Sequence, residues 1–178
     1  MIWDLERGRA ISTLEGHADR VTACAVVPDG RRVVSASSDG QLKVWDLRGG
    51  AALATFEGHA RGVTACVVTP DGRRVISASS DRTLKVWDLE TGRVLATFQG
   101  HTGDVIACAL TPDGRHAVSA SLDQTLRVWD LDAYACKHTH RGDASYTAVA
   151  VTATTVVAGD VAGTVWFLDC HASGAGSM

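Results

Sequence analysis

Tryptophan returns at Trp3, Trp45, Trp87 and Trp129, a step of 42 residues that the other landmarks keep. His17, His59 and His101 follow it, as do Cys24, Cys66 and Cys108, the turns Pro28-Asp29-Gly30, Pro70-Asp71-Gly72 and Pro112-Asp113-Gly114, and Asp39, Asp81 and Asp123. The units starting at Thr13 and Thr55 are identical at roughly 30 of about 42 positions. A chain built this way is an array of one structural module, because near-identical segments must fold alike. The units are a partial one over 1–12, repeats over 13–54, 55–96 and 97–138, a degenerate one over 139–171, and a polar tail over 172–178.

Within a unit the segments are short, rich in Val, Ala, Thr and Leu, and separated by turn residues, which predicts strands and not helices. Val21 to Val27 runs into Pro28-Asp29-Gly30, Arg32 to Ser37 returns, and Asp39-Gly40 turns the chain into Leu42–Asp46. Ala52 to Phe56 follows as a fourth strand. Each unit is thus a four-stranded antiparallel meander. One such sheet cannot bury both faces, so neighbouring sheets are expected to stack around an axis as the blades of an all-β propeller.

Gly16-His17, Ser37, Asp39 and Trp45-Asp46 together resemble the signature of the WD-repeat family. It recurs as Gly58-His59, Ser79, Asp81, Trp87-Asp88 and as Gly100-His101, Ser121, Asp123, Trp129-Asp130. The resemblance implies that the histidine, serine, aspartate and tryptophan of each set form a hydrogen-bonded network that locks a loop to its sheet. In the fifth unit Asp143 stands in the histidine's place and Ala158 in the serine's, while Asp160 and Trp166 read as survivors. The strands amount to about four blades, whereas the resemblance implies about seven. The expectation is an incomplete ring, or one completed by oligomerisation in which Ala10 to Leu14 of one copy finishes the last blade of another.

A formal net charge of −3 with both signs scattered gives no field for nucleic acid or a membrane surface. No run of about 18 apolar residues is present for a membrane helix, and Met1-Ile2-Trp3-Asp4 has no signal-peptide character, so a cytoplasmic location is expected. The cysteines read as small hydrophobes and not as a disulfide framework.

His17, Ser37 and Asp39 are the residue types of a hydrolase triad, but three copies beside a tryptophan, with no strained nucleophile turn, argue for scaffold. Cys136, His138 and His140 alternate along an outermost strand and offer metal-ligand atoms, the single pointer to a metal-dependent site. No cofactor is otherwise indicated. Arg31, Arg32, Arg73, Arg74 and Arg115 follow the Pro-Asp-Gly turns as a modest basic arc, balanced by Asp29, Asp71 and Asp113.

The expected function is therefore a non-catalytic scaffold for a protein or peptide partner. Positions that vary between matched repeats are the candidates for contact: Arg20, Gly62 and Asp104 before the first strand, and Ser38, Ser80 and Leu122 before the turn aspartate. The resemblance places them on the upper face around the central channel. The alternative is a sensory C-terminal segment of a larger signalling ATPase or kinase, since such repeats accompany those enzymes, although no phosphate loop or kinase motif lies in this chain.

Overall fold

A computed structural model describes residues 1–169, and the tail at 172–178 lies outside the described residues. The strands are β1 (Ile2–Asp4), β2 (Arg9–Ser12), β3 (Val21–Val26), β4 (Arg32–Ser37), β5 (Leu42–Asp46) and β6 (Ala52–Phe56). They continue as β7 (Val63–Val68), β8 (Arg74–Ser79), β9 (Leu84–Asp88), β10 (Val94–Phe98), β11 (Val105–Leu110) and β12 (His116–Ser121). Last come β13 (Thr125–Asp130), β14 (Ala135–Arg141), β15 (Tyr146–Val151), β16 (Thr155–Asp160) and β17 (Val165–Asp169). No helix of the described residues is long and apolar enough to cross a membrane.

These strands make a pair β1-β2, three meanders β3-β4-β5-β6, β7-β8-β9-β10 and β11-β12-β13-β14, and a three-stranded sheet β15-β16-β17. All neighbours are antiparallel. The repeat boundaries at 54/55 and 96/97 fall inside β6 and β10, so the folding unit is one sheet, running for example from Val21 to Phe56. Gly30, Gly72 and Gly114 end their turns at φ between 65° and 69°, the left-handed region that glycine enters at least cost.

The sheets stack with one face forward and one back. Val34, Ala36, Leu42, Val44 and Phe56 of the first full sheet meet Val63, Cys66, Val75, Trp87 and Leu89 of the second. The same positions repeat one step on, Ile76, Leu84 and Phe98 against Val105, Ala117 and Trp129. Phe56 stacks on Trp87 with ring centroids 5.7 Å apart and Phe98 on Trp129 at 4.8 Å, which puts the largest apolar areas of the repeat at the joints. The innermost strands are linked as well: Thr22 Oγ1 donates to the carbonyl of Val63 at 2.7 Å, and Thr64 Oγ1 to that of Val105 at 2.6 Å. Among the described residues the row of blades stays open and does not close into a ring.

The fifth sheet corrects the sequence alignment by two residues. Ala158 pairs with Trp166 as Ser35 pairs with Lys43, and Val156 pairs with Leu168 as Val33 pairs with Trp45. Its hairpin agrees: the Asp160 amide donates to Thr164 O at 3.1 Å where the Ser37 amide donates to Gln41 O at 3.2 Å. Asp160 and Trp166 are therefore not the surviving network pair. Leu168 holds the tryptophan's place, Asp160 the place of Ser37, and Trp166 Nε1 donates directly to Asp160 Oδ2 at 2.8 Å. With Leu168 for tryptophan and His140 for phenylalanine, the last joint leaves a cleft of about 720 Å³ floored by Val118, Leu126, Val128 and Val156.

Candidate partner-binding rim

Three hydrogen-bonded relays hold the loops of the full sheets, with a different serine from the one the signature suggests. Trp45 Nε1 donates to Ser35 Oγ at 2.8 Å, Ser35 Oγ donates to His17 Nε2 at 2.7 Å, and His17 Nδ1 donates to Asp39 Oδ2 at 2.8 Å. The aspartate sets the direction, because a carboxylate only accepts: the imidazole carries its proton on Nδ1, Nε2 is left to accept, and the hydroxyl, whose oxygen takes the indole N–H, gives its own proton to Nε2. Ser77 and Ser119 do the same between Trp87 and His59 and between Trp129 and His101.

Ser37, Ser79 and Ser121 are not members of these relays. Residues two apart on a strand share a face, so both serines of each pair point toward the loop. Trp45 lies opposite Val33, however, and its indole reaches the diagonal neighbour Ser35, while Ser37 sits beyond it at the mouth of the hairpin.

The aspartates fasten the loop itself. Asp39 Oδ2 also accepts the Ala18 amide at 2.9 Å and Oδ1 the Gln41 amide at 2.9 Å. Burial pushes the carboxyl of Asp81 up, but hydrogen bonds from Thr83, His59 and the Ala60 amide outweigh it and hold its pKa at about 2. Asp123 is held at about 2 as well, burial being outweighed by Thr125, the Thr102 amide and His101. Burial lowers the pKa of His59 and of His101 against the opposing pull of their aspartates, in keeping with neutral imidazoles that accept at Nε2.

Serine, histidine and aspartate thus touch in the order of a hydrolase triad, but Ser77 and Ser119 are wholly buried and an indole occupies each hydroxyl. No substrate reaches them. The proposed metal ligands do not converge either. A bulge in β14 pairs Trp129 with Cys136 and Val128 with His138, so Cys136 faces the opposite side of the sheet from His138 and His140. Cys136 Sγ turns to Arg127 at 3.8 Å, while His140 packs on Tyr146 and Trp166. Among the described residues no group of three or more His, Cys, Asp or Glu side chains is placed to hold a metal ion. Burial pushes the Cys108 thiol up to about 12 and raises that of Cys66 too. Cys24, the matching residue of the first full sheet, is exposed, because the β1-β2 pair beside that sheet has no inner strands to cover it.

The variable positions come together along one edge. The Ser38 amide donates to Arg20 O at 2.9 Å, Ser80 to Gly62 O at 3.0 Å and Leu122 to Asp104 O at 3.0 Å. Each candidate pair is therefore one cross-strand rung at the mouth of a sheet, and a Cβ on Gly62 would lie 3.1 Å from Ser38 Cα, so adjacent rungs abut. Ser37 Oγ, Ser79 Oγ and Ser121 Oγ tie these loops down, donating to the carbonyls of Asp19, Arg61 and Gly103 at 3.1 to 3.2 Å. The sequence missed a fourth rung, Val161 N to Ser145 O at 2.9 Å, because the misalignment of the fifth unit hid it. Leu122 and Val161 are exposed there.

The opposite edge carries the basic arc, and three of its five arginines, Arg32, Arg74 and Arg115, are engaged. Arg32 meets Asp29 at 2.7 Å and Glu90 of the next sheet at 3.6 Å, and Arg74 donates to Leu131 O at 2.9 Å. Such exposed pairs contribute little stability, but they leave no concentrated positive field.

The comparisons agree with this architecture. No curated protein matches the chain. The family model for the WDR41 β-propeller matches residues 6–172, nearly the full length. The chain accordingly belongs to the WDR41-type WD-repeat β-propeller family and is a non-catalytic scaffold of that kind.

Proposed function

We propose that the scaffold docks its protein partner across the rim formed by Arg20, Ser38, Gly62, Ser80, Asp104 and Leu122, extended by Ser145 and Val161. One observation carries this reading: the backbone rungs are the same in four sheets while no two of them present the same pair of residues. A rigid frame with changing side chains is what a recognition surface requires. Replacing Leu122 and Val161 together by aspartate is expected to weaken partner binding by at least about tenfold with the melting temperature unchanged. Glutamate at Arg31 and Arg73 on the opposite edge leaves binding as it was. The reverse pattern places the partner on the lower face.

The end faces support a second, finer reading, that copies of the 178-residue chain share a ring. Val21 is 49% exposed where Val63 and Val105 are buried, and Phe167 is 73% exposed where Val44 and Val86 are buried. Each end therefore displays one half of the joint that the inner sheets complete, and matching apolar faces of this kind associate. Light scattering is expected to find an oligomer that Phe167→Asp reduces to a monomer. A wild-type monomer at about 100 μM, well above the Kd of a stable interface, removes this reading.

A further inference from the structure

The rim is not uniform in charge. On the lower edge Arg32, Arg74 and Arg115 are answered by carboxylates or a carbonyl, while Arg31 and Arg73 sit beside the turn aspartates Asp29 and Asp71. On the upper rim Arg20, Arg61 and Arg82 are exposed, and among the described residues their guanidinium groups enter no hydrogen bond or ion pair.

Two of the three are held by a single buried residue. Ser79 Oγ donates to the carbonyl of Arg61 at 3.2 Å and of Gly62 at 2.9 Å, and the Ser79 carbonyl accepts the amide of Arg82 at 3.1 Å. One wholly buried serine thus fixes both arginine backbones at the mouth of the second full sheet. The matching pairs in the other sheets are Asp19 with Gly40, Gly103 with Gln124, and Ala144 with Gly163, none of them doubly cationic.

Arg82 also carries backbone strain. Its φ is 72°, where Gly40 at 85° and Gly163 at 82° hold the same turn position without a side chain. Gln124 shares the conformation at 68°. Strain kept at an exposed position, where glycine serves in two sister sheets, calls for a role outside folding.

We propose that Arg61 and Arg82 form an anion clamp that takes the acidic segment of a partner polypeptide, with Arg20 extending the cationic sector over the first full sheet. The inference rests on the rim reading above and adds the partner's chemistry. Guanidinium groups without internal partners bind carboxylates through paired N–H donors, and their first gain on binding is not offset by a broken internal ion pair. Asp104 stands at the next rung and disfavours acid there, and Leu122 and Val161 follow as apolar contacts. The partner segment therefore runs from acidic over the second full sheet to apolar over the last two.

The test uses the intact chain and two fluorescein-labelled peptides, one with a glutamate half followed by a leucine and serine half, the other with glutamine for every glutamate. Anisotropy at low salt is expected to show the glutamate peptide binding about tenfold tighter, with the difference shrinking as salt screens the contact. Arg82→Gly, which also relieves the turn, and Arg61→Ala are each expected to lose about fivefold, a typical cost for an exposed charged contact. Arg31→Ala loses nothing. Equal affinity of the two peptides, indifference to Arg82→Gly, or failure of the glutamate peptide to bind overturns the clamp. Should both peptides bind equally and both be lost with Leu122→Asp, the rim reading stands without the clamp; should Leu122→Asp change neither, both fall.

Discussion

Alanine at Ser77 is expected to destabilise the protein by about 3 kcal/mol, because it strips partners from two buried groups at once. Trp87 Nε1 loses its acceptor and His59 Nε2 its donor, both inside a joint that Phe56 and Trp87 close. Alanine at Ser79 acts elsewhere. It frees the carbonyls of Arg61 and Gly62 and the amide of Asp81, groups near the solvent-facing mouth, and is expected to cost about 1 kcal/mol. Denaturant midpoints measure the difference, and indole N–H exchange gives it a location. Ser77→Ala should speed exchange at Trp87 while Ser79→Ala leaves it slow. Equal acceleration by both variants would return Ser79 to the relay and contradict the assignment.

That pair of serines also marks how far the sequence could be read. The step of 42 residues and the turn chemistry dictate antiparallel meanders, and the sheets follow them closely, including the pair, the three sets of four and the final set of three. Which serine meets the indole was not legible. Ser35 and Ser37 both recur in every full unit and share a strand face, and only the cross-strand register, Val33 opposite Trp45, separates them. The fifth unit failed for a related reason: Asp160 and Trp166 match the signature's spacing, yet pairing is set by the hairpin, where Asp160 closes on Thr164. A period-two pattern tolerates a shift of two residues without exposing the core face, so alternation alone could not detect the slip.

The candidate site was legible in part. Variation between repeats led to Arg20, Ser38, Gly62, Ser80, Asp104 and Leu122, which pair as rungs on one edge. Ser145 and Val161 were hidden by the slip, and Arg61 and Arg82 stand out only once Ser79 is seen to hold both of their backbones at one hairpin mouth. The alternation that set Cys136, His138 and His140 on one face assumed an unbroken strand, and the bulge beside Trp129 turns Cys136 away from His138.

Acidification should unfold the protein in two stages, both read from the relays. Burial lowers the folded-state pKa of His59 and His101 below the ordinary 6.5, so the unfolded chain takes up their protons first. Their contribution is complete above that value and is lost as pH falls through the folded pKa values. Protonation at Nε2 also removes the acceptor of the Ser77 hydroxyl proton, which must then turn away within a buried joint. A second loss begins below the ordinary carboxyl value of 3.8 and runs toward about 2, where Asp81 and Asp123 gain protons in the folded state. Denaturant midpoints from about pH 8 to about pH 3 should fall first below pH 6.5 and again below pH 4. With His59 and His101 both replaced by glutamine, the first fall should shrink while the second remains. A double variant that keeps the full first fall would place the responsible titration outside these relays.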